Sequence, residues 1–337
     1  MATIKDVAKL ARVSTATVSA AINGTAFVSP NLKARVDHAI AELGYATDGI
    51  ARSLKKGKSS LIGLIVDDMT SPFYAELVEE IESLANENGY AVLLCHTGRD
   101  VRKEREYLRL LRTHRVDGIV WAPTGGAPDY PTSSLKQFSV PLVFIDRVVP
   151  TFANYDSVLL NNRAAGLKAT NYLLDIGHKR IAMISGPDFL EPAKERTEGF
   201  REAYRRRGFS VVEDLVLDGN FREAKAFEEC RKLLEKKNGV SAILVANNPM
   251  FIGVMRALSL MGLSCPGDIS VVSIDDFPLA DALRPHVTTV RQPVREMAQA
   301  ALRVLLERVT DAARPNATHL LFEPILIVRE SCAPVVA

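Results

Sequence analysis

Six short clusters carry side chains suited to holding a ligand: Ser71-Pro72-Phe73-Tyr74, Asp146-Arg147, Glu195-Arg196, Asn247-Asn248, Asp275-Asp276 and Arg291-Gln292. Carboxylates accept paired hydrogen bonds, guanidinium groups and amides donate them, and aromatic rings offer a face to C–H groups. Together these types match a cyclic polyol. Each also has a plainer reading: Asp275-Asp276 and Asn247-Asn248 could cap the helices that follow, Phe73 could be core, and Arg147 or Arg196 could sit in a structural salt bridge. A different chemistry is suggested by VSTATVSAAING at 13–24. Its short hydroxylated and methyl side chains would let a helix backbone lie deep in a DNA major groove, with hydroxyls and an amide in reach of phosphates and base edges.

Catalytic patterns are missing. The six histidines (His38, His96, His114, His178, His286, His319) are isolated and form no HExxH pair, and no GxSxG supplies a nucleophile elbow. Gly57-Lys58-Ser59 looks like the end of a phosphate-binding loop, but position 52 is Arg and no strand precedes it. The four cysteines (Cys95, Cys230, Cys265, Cys332) lack a CxxC pair, which fits reduced buried thiols. These features argue against an enzyme and against any metal or cofactor.

The elements that must position these residues alternate. From Ser60 onward apolar runs (LIGLIV, YAVLLC, DGIVW, PLVFI, DSVLL, RIAMIS, LVL, SAILVA, ISVVSI) are separated by amphipathic stretches at 73–88, 101–113, 162–176, 193–207, 223–236 and 249–261. Continuous apolar strands between helices indicate parallel sheets covered on both faces. The pattern runs twice, so two doubly wound domains are expected. The six clusters then lie beyond the carboxyl ends of strands or at the start of the next helix, where such sheets bind ligands.

At 337 residues the chain exceeds one ordinary core, and 47 % hydrophobic with 24 % charged residues is typical of folded proteins. The opening MATIKDVAKLARVS has no apolar h-region, and no run of eighteen uncharged apolar residues follows. A cytoplasmic protein without membrane contact is expected. Net charge is +2, yet residues 1–60 hold nine Lys/Arg against four Asp/Glu. A basic head on a slightly acidic body fits a phosphate-binding module attached to a regulatory domain.

Within the head, Thr3 can cap a helix carrying Ile4, Val7, Ala8 and Ala11, with Asp6 in its first turn. Ser14 caps a second, whose Val18, Ala21 and Ile22 face inward while Thr15, Ala16, Thr17, Ser19, Ala20 and Asn23 face outward. Two short helices on a tight turn make a helix-turn-helix, and a third helix from Ser29-Pro30, with Leu32, Val36, Ile40 and Leu43, closes its core. The segment from Gly44 to Lys58 is too short to be a stable helix alone and should order only against a partner.

TIKDVAKLARVSTATVS, GYATDGIARSLKKGKS and LIGLIVDDMTSPFY together resemble the LacI/GalR family of bacterial transcription regulators. The resemblance implies an all-α helix-turn-helix head, a hinge helix that folds on DNA in the dimer, and a periplasmic-binding-protein-like α/β core of two doubly wound parallel-sheet subdomains. By position it makes Thr15, Ala16 and Ala20 base-reading, makes Thr3, Ser14, Thr17, Ser19 and Asn23 backbone-contacting, and puts Ala51, Leu54 and Lys55 on the hinge at DNA, with Leu54 wedged in the minor groove. Phe73, Tyr74, Asp146, Arg147, Arg196, Phe221, Asn247, Asp275 and Gln292 resemble the residues with which pentose-binding members hold sugar, although Phe221 could also be core. Three departures stand out. Arg12 replaces a frequent turn glycine, Ala20 replaces a longer Arg or His and so loses a base contact, and Thr47-Asp48 stand where Pro and Asn are usual.

The implied domains are the DNA-binding head at 1–46, hinge and linker at 47–60, and an effector-binding and dimerisation core at 61–337. In that core the N-subdomain takes 61–159 and 291–322, and the C-subdomain 160–290 and 323–337. The expected function is a repressor, homodimeric on a pseudo-palindromic double-stranded operator and controlled by a free, pentose-like monosaccharide. A phosphorylated sugar or nucleoside/purine is the alternative effector, and a sugar-binding protein without a transcriptional role is the remote alternative. With no heptad run after Val328, a coiled-coil tetramer is not expected.

Overall fold

Asp6 accepts hydrogen bonds from the Thr3 N–H (2.8 Å) and hydroxyl (2.7 Å), which starts α1 at Ile4–Ala11. Those bonds hold the Asp6 pKa below its ordinary value. Arg12 ends α1 with φ of 52°, so the turn does require the left-handed conformation that a glycine would adopt freely. Arg35 secures that turn by donating to the carbonyls of Ala11 (2.6 Å) and Arg12 (3.1 Å). The Ser14 hydroxyl accepts from the Thr17 N–H at 3.0 Å and opens α2, Thr15–Asn23, which Gly24 closes. Helix α3, Pro30–Leu43, completes a small core of Val7, Ala8, Ala11, Val18, Val36 and Ala39. Leu32 is only half-buried and outside that cluster; the neighbouring turn supplies Ala39 instead.

A computed structural model gives this fold and describes residues 2–45, 58–126, 129–130, 140–236, 239–311 and 316–335. It divides into two compact units at Ser59/Ser60. The larger unit holds two six-stranded sheets.

In the first sheet the order is β11-β5-β4-β3-β1-β2, formed by β1 Leu61–Val66, β2 Ala91–His96, β3 Gly118–Trp121, β4 Leu142–Ile145, β5 Asp156–Leu160 and β11 His319–Phe322, all parallel. Successive β1 residues feed opposite cores. Ile62, Leu64 and Val66 pack with α4, Pro72–Glu87, and α10, Val294–Thr310. Ile65 packs with Leu108 and Leu111 of α5, Val101–Thr113, and with an aromatic cluster of Trp121, Phe144 and Phe152. Both faces are thus dry, as parallel sheets require.

The second sheet runs β12-β10-β9-β8-β6-β7: β6 Ile181–Ser185, β7 Val216–Asp218, β8 Ala242–Val245, β9 Ser270–Ile274, β10 Thr288–Arg291 and β12 Ile325–Ile327. Only β12 is antiparallel, to β10. Its helices are α6 Asn162–Asp175, α7 Glu191–Arg206, α8 Glu223–Glu235 and α9 Asn248–Leu260. The chain passes between sheets after β5, after β10 and after β11. Helix α10 and the two last strands extend beyond the elements read from sequence. β11 and β12 are short and half-exposed, so their apolar pattern is weak.

Glycines let α6 and α7 meet. A Cβ on Gly166 would lie 2.0 Å from the Arg196 carbonyl oxygen, and one on Gly199 would lie 2.1 Å from that of Arg163. Gly166→Ala must therefore push α7 outward and is expected to destabilise the fold by about 1–3 kcal/mol, the usual range for overpacking. Urea denaturation checks this; an unchanged midpoint would mean that the helices have room to part.

Candidate functional site

Asp146 and Asp275 occupy matching places, one residue past β4 and one past β9, and both have positive φ (67° and 72°). Left-handed aspartates cost about 1–3 kcal/mol each and persist where surrounding contacts hold them. Each begins a buried polar network, one from either half of the core.

On the first half, Arg147 is buried and donates through Nη2 to Asp67 Oδ2 (2.8 Å) and the Tyr74 hydroxyl (2.7 Å), and through Nε to Asp146 Oδ2 (3.1 Å). Tyr74 in turn donates to Asp146 Oδ2 at 2.7 Å. Burial alone would weaken the arginine's charge, but Asp67, Tyr74 and Asp146 outweigh it and hold its pKa well above the ordinary value. Burial, opposed by Arg147, keeps the Tyr74 phenol protonated.

Across the cleft, Arg196 donates to Asn162 Oδ1 (2.8 Å) and to the Ala246 carbonyl, and lies 3.8 Å from Asp275. Gln292 Nε2 donates to Asp275 Oδ1 at 2.6 Å. Burial raises the Asp275 pKa, and the contacts with Arg196 and Gln292 offset that only in part. Phe73 meets Tyr74 edge-on at 4.9 Å, and Phe221 packs over Gly186, where any Cβ would fall 2.3 Å from its ring.

All nine effector-binding candidates, Phe73, Tyr74, Asp146, Arg147, Arg196, Phe221, Asn247, Asp275 and Gln292, line one cavity of 40 Å³. That is far below the roughly 300–1,000 Å³ of ordinary ligand pockets, so the halves must part to admit a ligand. Three buried atoms in the lining have no hydrogen-bond partner: Asp67 Oδ1, Arg147 Nη1 and Gln292 Oε1. Asn247 satisfies both readings made of it, since its Oδ1 caps α9 through the Met250 N–H (3.0 Å) while its Nδ2 reaches the Phe221 carbonyl (3.4 Å). Asp276 takes the structural role, held by Arg329 at 3.0 Å and Thr289 at 2.8 Å.

The sequence reading missed Asp67, Asp68 and Arg99, which also line the cavity. Asp67-Asp68 directly follows β1 and the strand-end rule could have found it; Arg99, in a turn with φ of 65°, carried no such signal. From the first half, Arg99 reaches the carbonyls of Asn220 (3.1 Å) and Phe221 (2.9 Å) in the second, while also pairing with Asp68 at 2.7 Å.

On the head, Thr15 and Ala16 are exposed and Ser19 and Ala20 half-buried. The Ser14 and Thr17 hydroxyls lie 2.9 Å apart, and the Thr3 hydroxyl is engaged by Asp6. Of Asn23 only its place as the last residue of α2 is described. Ala51, Leu54 and Lys55 lie outside the described residues. Among the described residues no helix is long and apolar enough to cross a membrane, and no group of three metal-binding side chains occurs.

A helix-turn-helix head carried with a two-sheet core whose halves meet at a polar, aromatic-walled cleft defines a ligand-responsive DNA-binding regulator. Residues 3–48 match the family of bacterial regulatory proteins called lacI, and residues 170–332 match the periplasmic binding protein-like domain. The chain is 38 % identical over 333 residues to the ribose operon repressor of Escherichia coli K12, covering 98 % of this chain and 100 % of the relative. It is 36 % identical to the transcriptional repressor PurR of Vibrio vulnificus, covering 98 % of each. Among solved structures it is similar to a lac repressor dimer bound to operator and the anti-inducer ONPF (TM-score 0.85, 26 % identity, 98 % of this chain and 99 % of that one). It is also similar to an Enterococcus faecium LacI-family regulator with bound ribose (TM-score 0.73, 25 % identity, 82 % and 100 %). The chain belongs to the lacI family: it is a DNA-binding transcriptional repressor with a small-molecule effector.

Arg99 ties the two halves together by bonds that exist only when the cleft is shut. Charge-assisted bonds are worth roughly 1.5–3 kcal/mol, so Arg99→Ala should weaken effector binding about tenfold or more and leave thermal unfolding of the core nearly unchanged. Titration calorimetry beside a melting curve checks both; wild-type affinity would show that Arg99 does not hold the closed form.

Proposed function

We propose that the effector is a free monosaccharide, pentose-like, bound in the cavity by the nine residues named above. The single observation behind this is charge. Each guanidinium in the lining already faces a carboxylate: Arg147 and Asp67 at 2.8 Å, Arg99 and Asp68 at 2.7 Å, Arg196 and Asp275 at 3.8 Å, with Asp146 in excess. A phosphate would meet a net negative site, whereas hydroxyls both donate and accept and so suit the unpartnered Arg147 Nη1, Asp67 Oδ1 and Gln292 Oε1. The ribose named for two of the similar proteins supports the same reading. PurR among the relatives keeps a purine as the second candidate.

The protein acts as a homodimer on a near-palindromic operator in the cytoplasm, without catalysis, each head reading one half-site. The domains are 1–46 for DNA, 47–60 for the hinge and 61–337 for the effector, a division supported by the break between compact units at Ser59/Ser60. Thr15, Ala16 and Ala20 read bases; Leu54 of both chains opens a flexible central step. Ordering the hinge costs about 1–2 kcal/mol per residue, so it folds only as a pair packed against the minor groove. Cleft closure then changes operator affinity by setting the hinges' separation.

Thermal-shift screening of sugars, sugar phosphates, nucleosides and purines tests the effector class. Free pentoses should raise the melting temperature; a shift from phosphorylated compounds or purines alone would refute the sugar reading. Acidification gives a second check. Because burial raises the Asp275 pKa, its carboxylate protonates at higher pH than an exposed aspartate and then loses an acceptor. Sugar affinity should be full at neutral pH and fall on acidification through that raised pKa, whereas Asp275→Asn should bind weakly with no such step. Leu54→Ala should lose most specific operator affinity in fluorescence anisotropy while binding sugar normally; tight, fully responsive operator binding would show that the hinge is not the switch.

A further inference from the structure

Tyr74 puts a hydroxyl of the protein where a ligand hydroxyl would be held. Its phenol donates to Asp146 Oδ2 at 2.7 Å and accepts from Arg147 Nη2 at 2.7 Å. An adjacent carboxylate and guanidinium are the pair that recognises a vicinal diol, each group serving two neighbouring hydroxyls. Here one of those two places is taken. Asp146 Oδ2 is shared between Tyr74 and Arg147 Nε, and Arg147 Nη2 between Tyr74 and Asp67. What Arg147 has left is Nη1, which is without a partner.

The phenol cannot swing aside to make room. Tyr74 sits in the first turn of α4, is 5 % exposed, lies edge-on to Phe73 at 4.9 Å and packs in the same core as Leu77 and Ile81. A tyrosine has only two side-chain torsions, and moving this ring would break the core and strand a buried carboxylate and guanidinium. The small cavity, 40 Å³ in the closed arrangement, agrees with a ligand trimmed on one edge.

The geometry points to an effector with one hydroxyl fewer than a full pentose on the edge that faces Asp146 and Arg147: a monodeoxypentose, with the Tyr74 hydroxyl standing in for the missing group. This rests on the free-sugar reading above and narrows it. Tyr74 is then a specificity-determining residue, rejecting the fully hydroxylated sugar by steric overlap between two oxygens.

The test uses the full-length protein and titration calorimetry with D-ribose and its 2-deoxy, 3-deoxy and 5-deoxy derivatives. Wild type should bind at least one deoxy derivative tenfold or more tighter than ribose. Tyr74→Phe, which removes only the hydroxyl, should narrow that ratio or reverse it toward ribose. The ratio is the readout because a general loss of packing would weaken all four sugars together. Wild type binding ribose as tightly as every deoxy derivative would overturn the inference and leave the free-sugar reading intact, and so would a ratio unchanged in Tyr74→Phe. Binding of none of the four, with purines or phosphorylated sugars bound instead, would overturn both.

Discussion

The Arg147 guanidinium, buried between the ends of β1 and β4, must have its charge balanced within the protein, since an unpaired ion there would cost several kcal/mol. Asp67 and Asp146 supply that balance from two different strands, and Asp146 does so from a left-handed backbone. The first sheet is ordered to bring β1 and β4 to either side of β3, so both carboxylates converge on one arginine. Two dry cores then fix the strands from opposite faces. A network so constrained cannot relax to serve its own leftover atoms, and Arg147 Nη1 and Asp67 Oδ1 stay available to a ligand.

The second half repeats this with different members. Arg196 is presented by α7, whose approach to α6 depends on glycines rather than on side-chain interdigitation. Its charge is shared among Asn162, the Ala246 carbonyl and the more distant Asp275. Arg99 couples the two halves by gripping the carbonyls of the turn that carries Phe221, so the aromatic wall and the closure of the cleft are one structural event. A ligand that bridges the halves therefore competes with nothing and adds to Arg99's hold. Its preference for the closed form is the free energy available for regulation.

Much of this was legible in the residues. Continuous apolar strands told of two-faced parallel sheets, and looking beyond their carboxyl ends found most of the lining because sheet topology puts those ends at the cleft. The positions that escaped have physical reasons. Arg99 lies in a turn beyond the edge strand β2 and acts through backbone carbonyls of Asn220 and Phe221, which no side-chain pattern encodes. β11 and β12 are too short and too exposed to show an apolar run. Resemblance supplied Phe221, which no strand end announces. The partition of Tyr74 between wall and polar network depended on a hydroxyl position that only coordinates give.

The claim on which the rest depends is that a neutral sugar completes the cleft's buried network. A crystal structure of the full-length protein with a bound pentose or deoxypentose tests it most directly. The account predicts ligand hydroxyls within hydrogen-bond distance, about 2.7–3.2 Å, of Arg147 Nη1, Asp67 Oδ1 and Gln292 Oε1, with Phe73 and Phe221 on the ring faces. A ligand seated elsewhere, or one that leaves those three atoms without partners, would contradict it.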